Sequence, residues 1–103
     1  MQEGEFRESV VRQVIGYRVT TFSGSLYEVL PTAKVCRRLH GNVDPTPRQG
    51  PDGEWKHFHN RVYIEEGSPM VFDWDGEGHC TMTSDVVKFE ATGVDYDGDV
   101  VSS

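Results

Sequence analysis

The chain has 103 residues, of which 36% are hydrophobic and 11% aromatic, and it carries a formal net charge of −7. That length admits one domain with one modest core and excludes two. The acidity argues against nucleic acid or an anionic membrane as partner, because phosphates demand a positive footprint. No apolar run approaches the roughly 18 residues of a membrane span.

The opening stretch Met1–Glu8 lacks the basic and apolar regions of a secretory signal, so a cytoplasmic location is the expectation. Two cysteines, Cys36 and Cys80, are too few for a disulfide framework. Charge is unevenly spread. Residues 1–33 sum to −1, residues 34–61 to +3 and residues 62–103 to −9. Segregation of this kind suggests a polar surface with two signs.

In chain order, residues 2–14 come first. Phe6, Val10 and Val14 recur every four positions, which suits one face of a helix, while Ser9–Ile15 could equally begin a strand. We expect one or two helical turns leading into the strand, capping an open end of the fold. Residues 16–40 then read as three antiparallel strands. Tyr17, Val19 and Thr21 alternate with Arg18, Thr20 and Phe22, the period of a pleated strand. Gly24 supplies the turn, Leu26 to Val29 forms the second strand, Pro31-Thr32 breaks it, and Val35 to Leu39 forms the third. Residues 41–53 hold three prolines and three glycines and make a loop. A fourth strand opens at Trp55 and runs to His59 or Glu65. Val62 and Ile64 face Met70, Phe72 and Trp74 across Glu66–Pro69, which predicts a hairpin. After a second turn at Asp75–Gly78, strands follow at His79–Thr83 and Val86–Ala91, and the acidic end from Thr92 reads as frayed.

The expected architecture is therefore all-β: a single domain over residues 1–103, with an ordered core at about 16–91 and flexible ends. Six to seven short strands form a small antiparallel barrel or a sandwich. The meander-like order favours the barrel.

Few constellations suggest chemistry. Cys36, His40, His57 and His59 offer sulfur and nitrogen ligands of the kind zinc takes. Their spacing is not a recurrent zinc pattern, and Cys36 and His40 stand roughly 13 Å apart in one extended strand at about 3.3 Å per residue. Asp73, Asp75, Glu77 and Gly78 match the start of an EF-hand loop, but the twelfth position is Ser84 where a bidentate Glu is needed. No metal and no cofactor is expected. No nucleophile elbow or phosphate loop is present, so no catalytic residue is assigned and an enzyme is disfavoured.

Binding is better supplied. Arg37, Arg38, Arg48 and Lys56 interleave with Trp55 and Phe58, and Arg and Trp dominate protein interfaces. Arg37, Arg38, Arg48, Trp55 and Lys56 are the candidate partner-binding residues, with a protein as the expected partner. The same charges also serve an ordinary basic strand balanced by the acidic C-terminal third. A second reading is a ligand-binding barrel or small enzyme, with Tyr17, Tyr27, Trp55 and Trp74 lining a pocket and His57 or His59 as its polar handle.

The segments Ser23–Val29, Arg37–Leu39, Asp52–Trp55 and Thr81–Val86, spread over residues 17–87, resemble small uncharacterised β-rich proteins of actinobacteria and their phages. That resemblance carries no catalytic residue. It implies a small accessory protein, phage-encoded, whose job is to bind something; with the residue reading above, the expectation is a host-directed binder of a macromolecule.

Overall fold

A computed structural model describes residues 12–42 and 50–96. The candidate N-terminal helix, most of the 41–53 loop including Arg48, and the last seven residues lie outside the described residues. The described chain is all-β. Its strands are β1 (Arg12–Thr21), β2 (Leu26–Leu30), β3 (Val35–His40), β4 (Lys56–His57), β5 (Pro69–Asp73) and β6 (Cys80–Tyr96). They form one antiparallel sheet in the order β4-β3-β2-β1-β6-β5, curled into a half-barrel. No helix among the described residues is long and apolar enough to cross a membrane.

The first three strands fall where alternation and turn residues place them. Gly24, at φ 95°, closes the β1–β2 turn, a conformation that a side chain would strain. Later elements depart from the expectation. Val62 and Ile64 form no hairpin strand: residues 61–65 join no ladder and only lay these two side chains against the core. Strand β4 is two residues long. The two expected final strands are one 17-residue strand, β6, and the sheet extends through Thr92 to Tyr96 instead of fraying. Thr83 explains why a polar stretch does not break it. Its hydroxyl donates to the Ser84 carbonyl and accepts the Met70 N–H, so the buried oxygen is satisfied within the sheet.

Two clusters sit on opposite faces. Inside the curl, Val19, Tyr27, Val29, Cys36, Phe58, Met70, Phe72 and Val86 form the main core. On the outer face Leu30, Ala33, Val35, Val94 and Tyr96 form a second cluster, with Val14 and Trp55 packed on it. A strand with both faces covered should read as a continuous apolar run. Leu26-Tyr-Glu-Val-Leu30 comes close, being buried from Tyr27 onward. Gly16 makes the outer cluster possible, because a Cβ there would lie 2.3 Å from Leu30 Cδ2 and 2.9 Å from the Val29 carbonyl oxygen.

The curl is stitched by one side chain. Phe58 donates its N–H to the Lys34 carbonyl beside β3, and His59 donates its own to the Asp73 carbonyl on β5. Asn60 then behaves like a strand residue. Its Nδ2 donates to the Val71 carbonyl and its Oδ1 accepts the Asp73 N–H, each at 2.8 Å. The outer edge of β5 is thereby covered by a carboxamide that imitates a peptide group.

Candidate interaction surface

The basic strand zone is brought together only in part. Neighbouring residues of a strand project to opposite faces, so Arg37 points outward and Arg38 inward. Arg37 Nη2 lies 2.7 Å from Glu28 Oε1, and its guanidinium stands 4.4 Å above the Trp55 ring. Arg18 pairs with the other Glu28 oxygen at 2.8 Å. Glu28, only 3% exposed, is thus clamped between two arginines on the outer face. Burial acts to raise its pKa, but the hydrogen bonds and charges of Arg18 and Arg37 outweigh that and hold it below the ordinary value.

Arg38 is 5% exposed and its Nε donates to Asp52 Oδ1 at 2.7 Å. Lys56 lies on the inner side, with its ammonium 5.5 Å from the Trp74 ring. Trp55 is half-buried on the outer cluster, edge-on to Tyr96 at 5.2 Å. Four of the five candidate residues are therefore engaged with groups inside the fold, and they occupy two faces. Arg48 lies outside the described residues.

The aromatic set is divided as well. Tyr27 stacks on Phe72 within the core, Trp74 stacks on Phe72 from its other neighbours' side, and Trp55 is on the opposite face of the sheet. These rings share no single cavity. Nor do the candidate metal ligands converge. Cys36 is buried on the inner face, while His57 pairs with Val35 on the outer one. Among the described residues no three His, Cys, Asp or Glu side chains form a group able to hold an ion.

The acidic loop at Asp73 turns its oxygens on its own backbone. Asp73 Oδ1 accepts from the N–H groups of Asp75 and Gly76, and Asp75 Oδ1 accepts from Glu77 and His79. Asp75 Oδ2 also meets His79 Nδ1. The Glu77 N–H chiefly lowers the Asp75 pKa, desolvation opposes it, and the His79 contacts add to bring it down to about 2.

One of the open hollows is apolar. Tyr17, Pro31, Val62, Tyr63, Ile64 and Phe89 line a hollow of about 260 Å³ at the mouth of the half-barrel. Tyr17 and Phe89 meet there edge-to-face at 6.2 Å, and Tyr63 is 70% exposed. Exposed Glu65, Glu66 and Glu90 flank these residues in the chain. Sequence reasoning assigned Val62 and Ile64 to a strand and so missed the hollow. The available signal was the unbroken apolar triplet Val62-Tyr63-Ile64, which an alternating half-buried strand does not need. Compared with protein-family models, curated proteins and solved structures, the chain matches none.

Proposed function

We propose that this chain is a small non-enzymatic accessory domain that binds a protein partner at the mouth of the half-barrel. The observation that carries the reading is the hollow lined by Tyr17, Val62, Tyr63, Ile64 and Phe89, an exposed apolar surface on an otherwise strongly charged chain. Exposed Glu65 and Glu66 follow Ile64 directly in the chain and favour a partner segment that sets basic residues beside its apolar anchor. Lys34, Arg37, Arg38 and Lys56 serve contacts within the fold in this reading, and the partner meets the acidic side instead. The resemblance over residues 17–87 favours a small phage-encoded accessory protein, and a host protein is the partner that role would most directly serve.

Selection from a random peptide library displayed on phage tests this reading. Enriched peptides should combine an aromatic or aliphatic anchor with Lys or Arg, and their binding should weaken at high salt. Amide shifts on adding such a peptide should cluster at residues 62–64 and 89, and Tyr63→Asp should abolish them. Enrichment of peptides that bind elsewhere, or binding indifferent to Tyr63→Asp, would overturn the proposal.

A further inference from the structure

The wall of the apolar hollow continues into a basic one. Pro31 and Val62 also belong to a second hollow of about 250 Å³, lined besides by Lys34, Phe58, Asn60 and Arg61. Phe58 is part of the main core, so the charge in this lining comes from Lys34 and Arg61. The chain carries 17 acidic side chains against 10 lysines and arginines. Even so, no ion pair among the described residues includes Lys34 or Arg61. That sets them apart from Arg18, Arg37 and Arg38, each of which holds a carboxylate.

Both cations are placed by the backbone around them. Lys34 has φ 57°, and among the described residues only glycines share a positive φ with it. Glycine or asparagine adopts that conformation more readily than lysine does. The lysine instead brings an ammonium to the wall. One of its three N–H groups donates to the His59 carbonyl at 3.3 Å, which leaves two for another acceptor. Arg61 is held from Asn60, whose Nδ2 donates to the Arg61 carbonyl at 3.2 Å and to the Val71 carbonyl at 2.8 Å. Both amide hydrogens are then in use, so Asn60 fixes the Arg61 backbone and has no donor left for a ligand. The Arg61 side chain is exposed and has no hydrogen-bond partner among the described residues.

We infer that this second hollow takes a carboxylate side chain, Asp or Glu, from the partner segment whose apolar anchor fills the first. The inference rests on the apolar hollow being a partner site, and it adds a charge of opposite sign to that partner. Lys34 keeps its contact within the fold and offers its remaining N–H groups. In the chain Arg61 precedes Val62-Tyr63-Ile64, and Glu65-Glu66 follow, so positive, apolar and negative groups come in that order. The complementary segment carries an acidic residue, an apolar or aromatic anchor and a basic residue in line. A carboxylate suits the site better than a phosphate, because the chain's net charge of −7 works harder against a dianion than against a monoanion.

Selection from a displayed library with a fixed phenylalanine between randomised flanks tests this, using wild type, Arg61→Glu and Lys34→Gly. The last keeps a residue suited to φ 57° and removes the ammonium. Peptides taken by wild type should carry Asp or Glu on one side of the phenylalanine and Lys or Arg on the other. Arg61→Glu should lose the acidic preference and Lys34→Gly should weaken it. Both should keep the aromatic and basic preferences, with unchanged circular dichroism spectra. In one enriched peptide, replacing the acidic residue by its amide should weaken binding to wild type about three-fold or more, as for an exposed charge pair. The same replacement should not weaken binding to Arg61→Glu. Enrichment of aromatic and basic residues without acidic ones would overturn the inference and leave the apolar hollow as the partner site. An acidic preference that survives both substitutions would sink it too, and a selection that enriches nothing would end both readings. Tighter binding of a peptide with phosphoserine at the acidic position would refute the choice of a carboxylate.

Discussion

Glu28 holds Arg37 by two contacts to one carboxylate oxygen, from Nε at 2.9 Å and Nη2 at 2.7 Å, while its other oxygen takes Arg18. This is the charged centre of the outer face. Removing the carboxylate charge leaves two cations facing each other over a covered site. Both arginines remain partly wet, which limits the loss, so Glu28→Gln should cost about 1–2 kcal/mol in urea unfolding at neutral pH. The pH dependence has a definite sign. The folded-state pKa is depressed, so the carboxylate's contribution is present above the ordinary carboxylate pKa and is lost as pH falls through the lowered value. The stability gap between wild type and Glu28→Gln should therefore shrink under acid and stay constant from pH 6 upward, about two units above an ordinary glutamate.

Asn60 is expected to govern how firmly β5 closes against the rest of the curl. Asn60→Ala removes one donor and one acceptor from the β5 edge, worth about 1–2 kcal/mol together. Asn60→Asp keeps the acceptor for Asp73 but points an oxygen at the Val71 carbonyl, so it should be no better. Hydrogen exchange offers the sharper readout. The Asp73 amide should exchange faster in Asn60→Ala, while β1–β2 amides keep their protection. Uniform loosening across the sheet would refute a local role.

How far these features were legible depends on which forces set them. The hairpins at 16–40 were readable because local turn chemistry and period-two alternation agree there. The same period assigns Arg37 and Arg38 to opposite faces, and grouping them as one patch ignored it. Strand β6 was not readable as one element, because Thr83-Ser84-Asp85 looks like a break until the Thr83 hydroxyl takes the Met70 N–H from β5. Val94 and Tyr96 looked like a tail because their anchors, Leu30, Val35 and Trp55, come from elsewhere in the chain. Val62 and Ile64 alternate as a strand would, but alternation records an extended backbone and one covered face. Whether such a backbone finds a ladder is decided by the sheet.

Gly16 should tolerate no side chain. Its added Cβ would strike Leu30 Cδ2, which can move, and the Val29 carbonyl, which belongs to the β1–β2 ladder and cannot. Gly16→Ala should cost about 1–3 kcal/mol, in the range of overpacked cores. Relief by Leu30→Ala should be partial at best, since the backbone contact persists and that change empties the outer cluster. Thermal melts of the two single variants and the double variant separate the contributions. Full rescue in the double variant would show that the Val29 carbonyl does not matter.

The acidic turn between β5 and β6 should keep its carboxylate ionised well into acid. Asp75 is exposed, yet its carboxylate collects the Glu77 and His79 N–H groups and the His79 ring, which brings its pKa down to about 2. A depressed folded-state pKa means its contribution is in place above the ordinary aspartate value and is lost only as pH falls through about 2. Carbon-detected NMR titration should therefore show Asp75 ionised at pH 3, about a unit below an ordinary aspartate. His79→Ala should raise the midpoint only partway, because the Glu77 N–H remains and contributes most. If Asp75 instead titrates like an ordinary aspartate, its carboxylate is not organising the turn, and the short strand pairing from Asp73 to Cys80 must hold the loop alone.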